Sequence, residues 1–146
     1  MRQTLLHKCE GLGDEQLATT LPPSTMTLAG MLSHLDFVED HWIRHVFFGG
    51  EPSEPWASAP WHEDADWDWH AAAKRPGDEL RAALQLRWEG NDAAIAAIDL
   101  DAVSALEHDG APVTLRWVLL HFIEEYSRHC GHGDLIRESI DGVVGD

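Results

Sequence analysis

A chain of 146 residues with 26 acidic side chains against ten lysines and arginines carries a formal charge of -16, which excludes partners held through phosphates, whether nucleic acid or an anionic membrane surface. Its 44% hydrophobic content and seven tryptophans exclude bulk disorder, and the length fits one domain with a real core over residues 1–146. Two cysteines, Cys9 and Cys130, no apolar signal segment at Met1 and no uncharged apolar run of spanning length argue against a disulfide framework and a membrane span, and point to a reducing, cytoplasmic setting.

In chain order, Thr4 to Glu10 reads as a short amphipathic helix on Leu5, Leu6 and Cys9, closed by Gly11 and Gly13, and Asp14 caps a further turn through Leu17. The LPPS connector at Leu21 to Ser24 cannot be helical. A long helix is expected from Ser24 or Thr25 to Phe48, with Leu28, Met31, Leu32, Leu35 and Trp42 as its core stripe and Gly49 and Gly50 as its stop. His34, His41 and His45 share one strip of it.

Glu51 to Lys74 is a proline-, acid- and tryptophan-rich stretch expected to lack regular structure. Its tryptophans, Trp56, Trp61, Trp67 and Trp69, pack the loop over one end of the bundle or line a pocket mouth or dimer contact. His62 and His70 carry no assigned chemistry. A helix from about Pro76 to Ile98 follows, then a connector from Asp99 to Pro112 whose DGAP is a turn signature, with no strand assigned.

The last helix, Thr114 to Ile140, opens on a capping threonine and carries apolar residues at helical spacing. His121, Glu125 and His129 follow at steps of four, with His132 three further on, so the four share one strip. Such a strip is either a solvated face with hydrogen-bonded histidines or the edge of a metal site. Glu125 and His129, one turn apart, suit a single zinc ion and also admit nickel, manganese or iron. Two long helices that each bear a histidine face can meet in a bundle core, where metal sites are built from facing helices. The expected architecture is all-α, a four-helix bundle with a long crossover loop between its second and third helices.

The segments SHLDFVEDHWIRHVFFG and LRWVLLHFIEEYSRHCGHGDLIRESIDG resemble those of the DinB-like superfamily of four-helix metal-binding proteins, in its branch of mini-circle-like domains, and the similarity runs from LLHKCEGL nearly to the end. The resemblance implies a metal held by His34 and by the pair Glu125 and His129. Glu125 stands where many relatives carry histidine; maleylpyruvate isomerase, a thiol-dependent member, is similar in combining histidines with a carboxylate. His41 rivals His34 as third ligand, while His121 and His132, like His41, are candidates to orient the ligands from behind.

The resemblance further implies a small-molecule substrate, a low-molecular-weight thiol such as mycothiol or bacillithiol, and S-transfer or thiol-dependent isomerisation. Hydrolysis at the same open site and a non-catalytic metal- or small-molecule-binding bundle are the other readings. A homodimer is expected. Asp134, Arg137 and Glu138 read as a structural ion-pair network, and Cys130, turned about 100° from His129 around the helix, is not assigned as a nucleophile.

Overall fold

The computed structural model describes residues 1–145. Its elements in order are α1 (Arg2–Cys9), α2 (Asp14–Leu17), α3 (Leu28–Glu39) running on as a π-helix over Asp40–Phe47, α4 (Trp67–His70) with a 3-10 turn Ala71–Lys74, α5 (Gly77–Ile95), β1 (Val103–His108), β2 (Ala111–Thr114) and α6 (Leu115–Asp141).

The expected all-α four-helix bundle is therefore corrected: among the described residues six α-helices accompany a two-stranded antiparallel sheet. The hairpin arises where a connector was expected. Asp109 and Gly110, the DG of the turn signature, have φ of 52° and 83°, and this left-handed pair closes a two-residue turn whose twist matches antiparallel strands. His108 faces Ala111 and Val103 faces Thr114, with a bulge between Val103 and Glu107. Ser104 serves that bulge. Its hydroxyl accepts from Val113 N at 3.0 Å and donates to Leu106 O at 2.6 Å.

α3 is the central element, buried almost all round, as a helix packed on several sides must be. It begins at Leu28, three or four residues after the expected start at Ser24 or Thr25, because Thr27 is its cap: Thr27 Oγ1 accepts from Gly30 N at 2.9 Å. Gly49, at φ 68°, ends the π-helical continuation. Leu28, Met31, Leu32 and Leu35 of α3 meet Leu80 and Leu84 of α5 and Leu115, Val118 and Phe122 of α6 in one core. α6 is capped by Thr114, which accepts from Trp117 N, and stopped by Gly142 at φ 78°.

Three acids of α3 enter this core, and each is answered. Asp36 and Asp40 accept from Arg87 at 2.8 and 2.6 Å, and Glu39, fully buried, accepts from Arg2, Asn91 and the Tyr126 hydroxyl. Unpaired, any of the three carries a large desolvation penalty. No helix of the described residues is long and apolar enough to cross a membrane.

Of the segment expected to be irregular, residues 51–66 carry only turns, while its last eight residues fold into α4 and the 3-10 turn and lie along α3. Trp56 is buried against Phe37 at a ring separation of 5.5 Å, Trp61 packs on Phe37 at 4.8 Å, and Trp69 reaches the backbone of α3. A Cβ on Gly30 would stand 2.8 Å from Trp69 Cε3, so this close approach requires glycine. The segment thus delivers α4 to the face of α3 that carries His34.

Candidate functional site

His34 projects from α3 toward α6, where Glu125 and His129 stand one helical turn apart. Glu125 Oε2 lies 3.7 Å from His34 Nε2 and 3.4 Å from His129 Nε2, and the three potential ligand atoms all lie within 4.8 Å of one another. Both separations exceed the 2.7–2.9 Å of a charge-assisted hydrogen bond. They approach the spacing of about 3.3 Å between neighbouring donors around one tetrahedral ion with bonds near 2.05 Å. Two imidazoles and a carboxylate are also the donor chemistry of catalytic zinc sites. On both counts the residues fit a divalent cation. Glu125 Oε1 turns the other way, to Arg128 at 3.3 Å, which leaves Oε2 for the histidines.

The groups behind the triad set its orientation. His34 Nδ1 lies 2.6 Å from Asp68 Oδ2 on α4, so that carboxylate holds the Nδ1 proton and directs Nε2 at the site. Trp69 stacks on the His34 ring at 4.6 Å with an interplanar angle of 21° and also touches His129, its ring 5.4 Å away. His34 is thereby fixed in both rotation and tilt.

Electrostatics follow from this enclosure. Burial pulls the His34 pKa down, but hydrogen bonding to Asp68 and the nearby Glu125 carboxylate outweigh it and the net shift is upward. The His34 imidazole in turn holds Glu125 down to about 2, with Arg128 helping against burial. His129 falls to about 4, first through burial and then through the nearby charge of His34, so at neutral pH it is an uncharged imidazole with a lone pair to offer. Its Nδ1 is buried and has no hydrogen-bond partner among the described residues.

With that geometry in place, the comparison with family models is decisive. A model described as mycothiol S-transferase matches residues 1–142. The chain belongs to the mycothiol S-transferase family. The DinB-like resemblance of the two helical motifs is thereby shown, since the family lies within that superfamily. A search of the curated proteins finds no match.

The other histidines of this mycothiol S-transferase family member lie apart from the triad. His41 sits about two turns further on, in the π-helical continuation of α3, its ring against Phe37, Trp42 and His45, and burial lowers its pKa. His45 turns its Nδ1 to the Gly50 carbonyl at 2.9 Å. His121 lies flat on Trp117, 5.2 Å away at 5°, and beside Trp42. His132 meets His129 edge-on at 5.6 Å. None of His41, His121 and His132 hydrogen-bonds a triad residue among the described residues. The residue that orients His34 is Asp68, which is not among the candidates the sequence offers. Its one sequence signal is negative: a ligating histidine needs an acceptor on its second nitrogen, and α3 offers none at helical spacing from His34.

Proposed function

We propose that the protein is a divalent-metal-dependent S-transferase that joins a small thiol, mycothiol being the one the family description names, to a small electrophile. The observation that carries this reading is the donor spacing, too long for hydrogen bonds and suited to three ligands of one cation. Zinc is the first candidate; nickel, manganese and iron suit the same donors. Three protein ligands leave an open position, and a cation held there supplies Lewis acidity that favours the thiolate of a small thiol over the thiol at neutral pH.

The chain's own residues do the rest. Asp68 keeps the His34 proton on Nδ1, Glu125 presents Oε2, and neutral His129 presents Nε2. Trp69 covers one flank of the triad and keeps water from it. The nucleophile comes from outside. Cys9 is fully buried with a thiol pushed up to about 12 by desolvation, and Cys130 is buried and raised for the same reason. The thiolate sulfur forms the new C–S bond with its lone pair, and the leaving group departs with the electrons of the bond that breaks.

The reading goes with a cytoplasmic setting, where small thiols stay reduced, and with a homodimer, which light scattering across a concentration series tests. The test of the function itself is elemental mass spectrometry on tag-free protein and on His34→Ala, Glu125→Ala and His129→Ala, followed by thiol-consumption assays with mycothiol and chlorodinitrobenzene. About one ion per chain, lost in the three folded variants together with thiol consumption, is the expected result. A loaded protein that neither binds nor consumes any small thiol overturns the transferase reading.

A further inference from the structure

The chain's ten lysines and arginines are heavily outnumbered by its 26 carboxylates, and seven of the ten stand in ion pairs. Arg2 pairs with Glu39 and Asp92, Lys8 with Asp134, Arg81 with Asp78, Arg87 with Asp36 and Asp40, Arg116 with Asp101, Arg128 with Glu125, and Arg137 with Asp141. Arg44, Lys74 and Arg75 have no carboxylate within ion-pair distance among the described residues. All three line one pair of adjoining cavities.

The first cavity, about 640 Å³, lies where the π-helical end of α3 faces α5 and is lined by Arg44 and Arg75 with the apolar side chains of Phe48 and Leu86. The second, about 690 Å³, is lined by Lys74 and Arg75 with Trp56 and Trp67. Both share Glu54, Pro55 and Arg75, so Arg75 stands where they meet. Each has the size of a small-molecule site. The first opens on the α5 side of α3, where Asp36 points to Arg87, and the second lies within the segment 54–75, whereas His34 points to Asp68 of α4 and to α6. Neither cavity touches the triad.

Which charges are free in this groove decides what it takes. Two of its three carboxylates face a cationic or protonatable partner, Asp36 with Arg87 and Asp64 with His70 at 2.8 Å, while Glu54 accepts from the Ser58 hydroxyl at 2.5 Å and keeps its charge. Its three cations outnumber that one carboxylate and are unpaired among the described residues. Arg44 gives Nε to the Glu51 carbonyl at 2.6 Å, which anchors the guanidinium and leaves its two terminal nitrogens without a partner, while Arg75 and Lys74 make no side-chain hydrogen bond among the described residues. The buried indole N–H of Trp56, on the wall of the second cavity, also has no acceptor among the described residues. Free donors of one sign beside aromatic and aliphatic walls match an amphipathic anion, with guanidinium forks for its oxygens and apolar surface for its body.

We propose that this groove is a second ligand site, separate from the triad, that binds a small organic anion, a carboxylate or sulfonate on an aromatic or aliphatic body. The long-range field opposes such a ligand, because the chain as a whole is at -16. A preference for the anion over a neutral molecule of the same shape must then come from cations at the groove itself.

That contrast is the test. Fluorescence titrations compare the anionic probe 1-anilinonaphthalene-8-sulfonate with the neutral N-phenyl-1-naphthylamine on the wild type, on Arg44→Gln with Arg75→Gln, and on His129→Ala. The wild type should bind the anion saturably and tighter than the neutral probe, the double variant should weaken the anion roughly tenfold with little change for the neutral probe, and His129→Ala should leave both unchanged. Circular dichroism checks the fold, and Lys74→Gln with Arg75→Gln replaces the first pair if that pair unfolds. Equal affinity for the two probes, an anion affinity insensitive to both double variants, or loss of binding in a folded His129→Ala overturns the proposal.

Discussion

Asp68 Oδ2 lies 2.6 Å from His34 Nδ1, across the gap between a four-residue helix of the tryptophan-rich segment and the central helix of the core. That single contact makes the segment part of the site. Asp68→Ala frees the His34 ring to rotate and removes the acceptor that fixes its tautomer, and an outer partner of this kind is worth about 10–100-fold in metal affinity. Competition with a chromophoric chelator should show that loss. An unchanged dissociation constant would mean that Trp69 alone orients the ring.

Gly30→Ala should act on the same ring from the other side. The added methyl meets Trp69 Cε3 at 2.8 Å and the Thr27 hydroxyl at 3.1 Å, so the indole has to leave its place over His34. Overpacking of this kind costs about 1–3 kcal/mol, and it should lower the thermal midpoint and shift the tryptophan emission together. A midpoint within error of the wild type would show that Trp69 moves aside freely.

Tyr126 ties the buried network of α3 to α5 and α6: its hydroxyl accepts from Trp88 Nε1 at 2.6 Å and donates to Glu39 Oε1 at 3.0 Å. Tyr126→Phe strands a buried indole N–H and takes one bond from a buried carboxylate. The expected loss is about 1–3 kcal/mol in urea denaturation, and a cycle with Trp88→Phe should recover part of it as coupling.

The thiol of Cys9 supplies a pH signature. Its pKa rises on burial from an ordinary 9.0 to about 12, so the folded state holds the proton that the unfolded state gives up. The stability this contributes is complete below pH 9 and is lost as pH rises toward 12, and the buried Tyr126, also raised, adds to the same alkaline loss. Denaturation midpoints from pH 8 to pH 11 should fall, and less steeply in Cys9→Ala. Iodoacetamide at pH 8 should leave Cys9 and Cys130 unlabelled in the native protein and modify both in urea.

Local chemistry decided what the sequence could show. The ends of the two long helices were legible because Thr114, Gly49 and the apolar spacing act over a few residues, although α3 starts after its Thr27 cap and not at Ser24 or Thr25. The hairpin was missed because its burial follows no alternation along Val103–His108, where only Ser104 is buried, and because a bulge shifts its register; the Asp109–Gly110 pair was its one local mark. Ile123 and Leu135 are apolar and stand at helical spacing in α6, yet they are more than half exposed, since the helix buries its Val118, Phe122 and Tyr126 side instead. His34, Glu125 and His129 were brought forward by the resemblance and meet in space. Asp68 and Trp69 could not be found that way, because contacts between segments some 34 residues apart leave no trace in helical spacing.

The triad joins a helix from the first third of the chain to the last helix, and an occupant that needs both would turn the melting curve into a binding isotherm. At a free cation concentration about a hundred times its dissociation constant, mass action adds roughly 2.7 kcal/mol to folding. In a chain of this size that raises the midpoint by roughly 5–10 °C. Chelation should reverse the gain, and the same chelator should leave the midpoint of Glu125→Ala where it was. Thermal stability then reports the free-ion level of the surroundings as directly as any activity does.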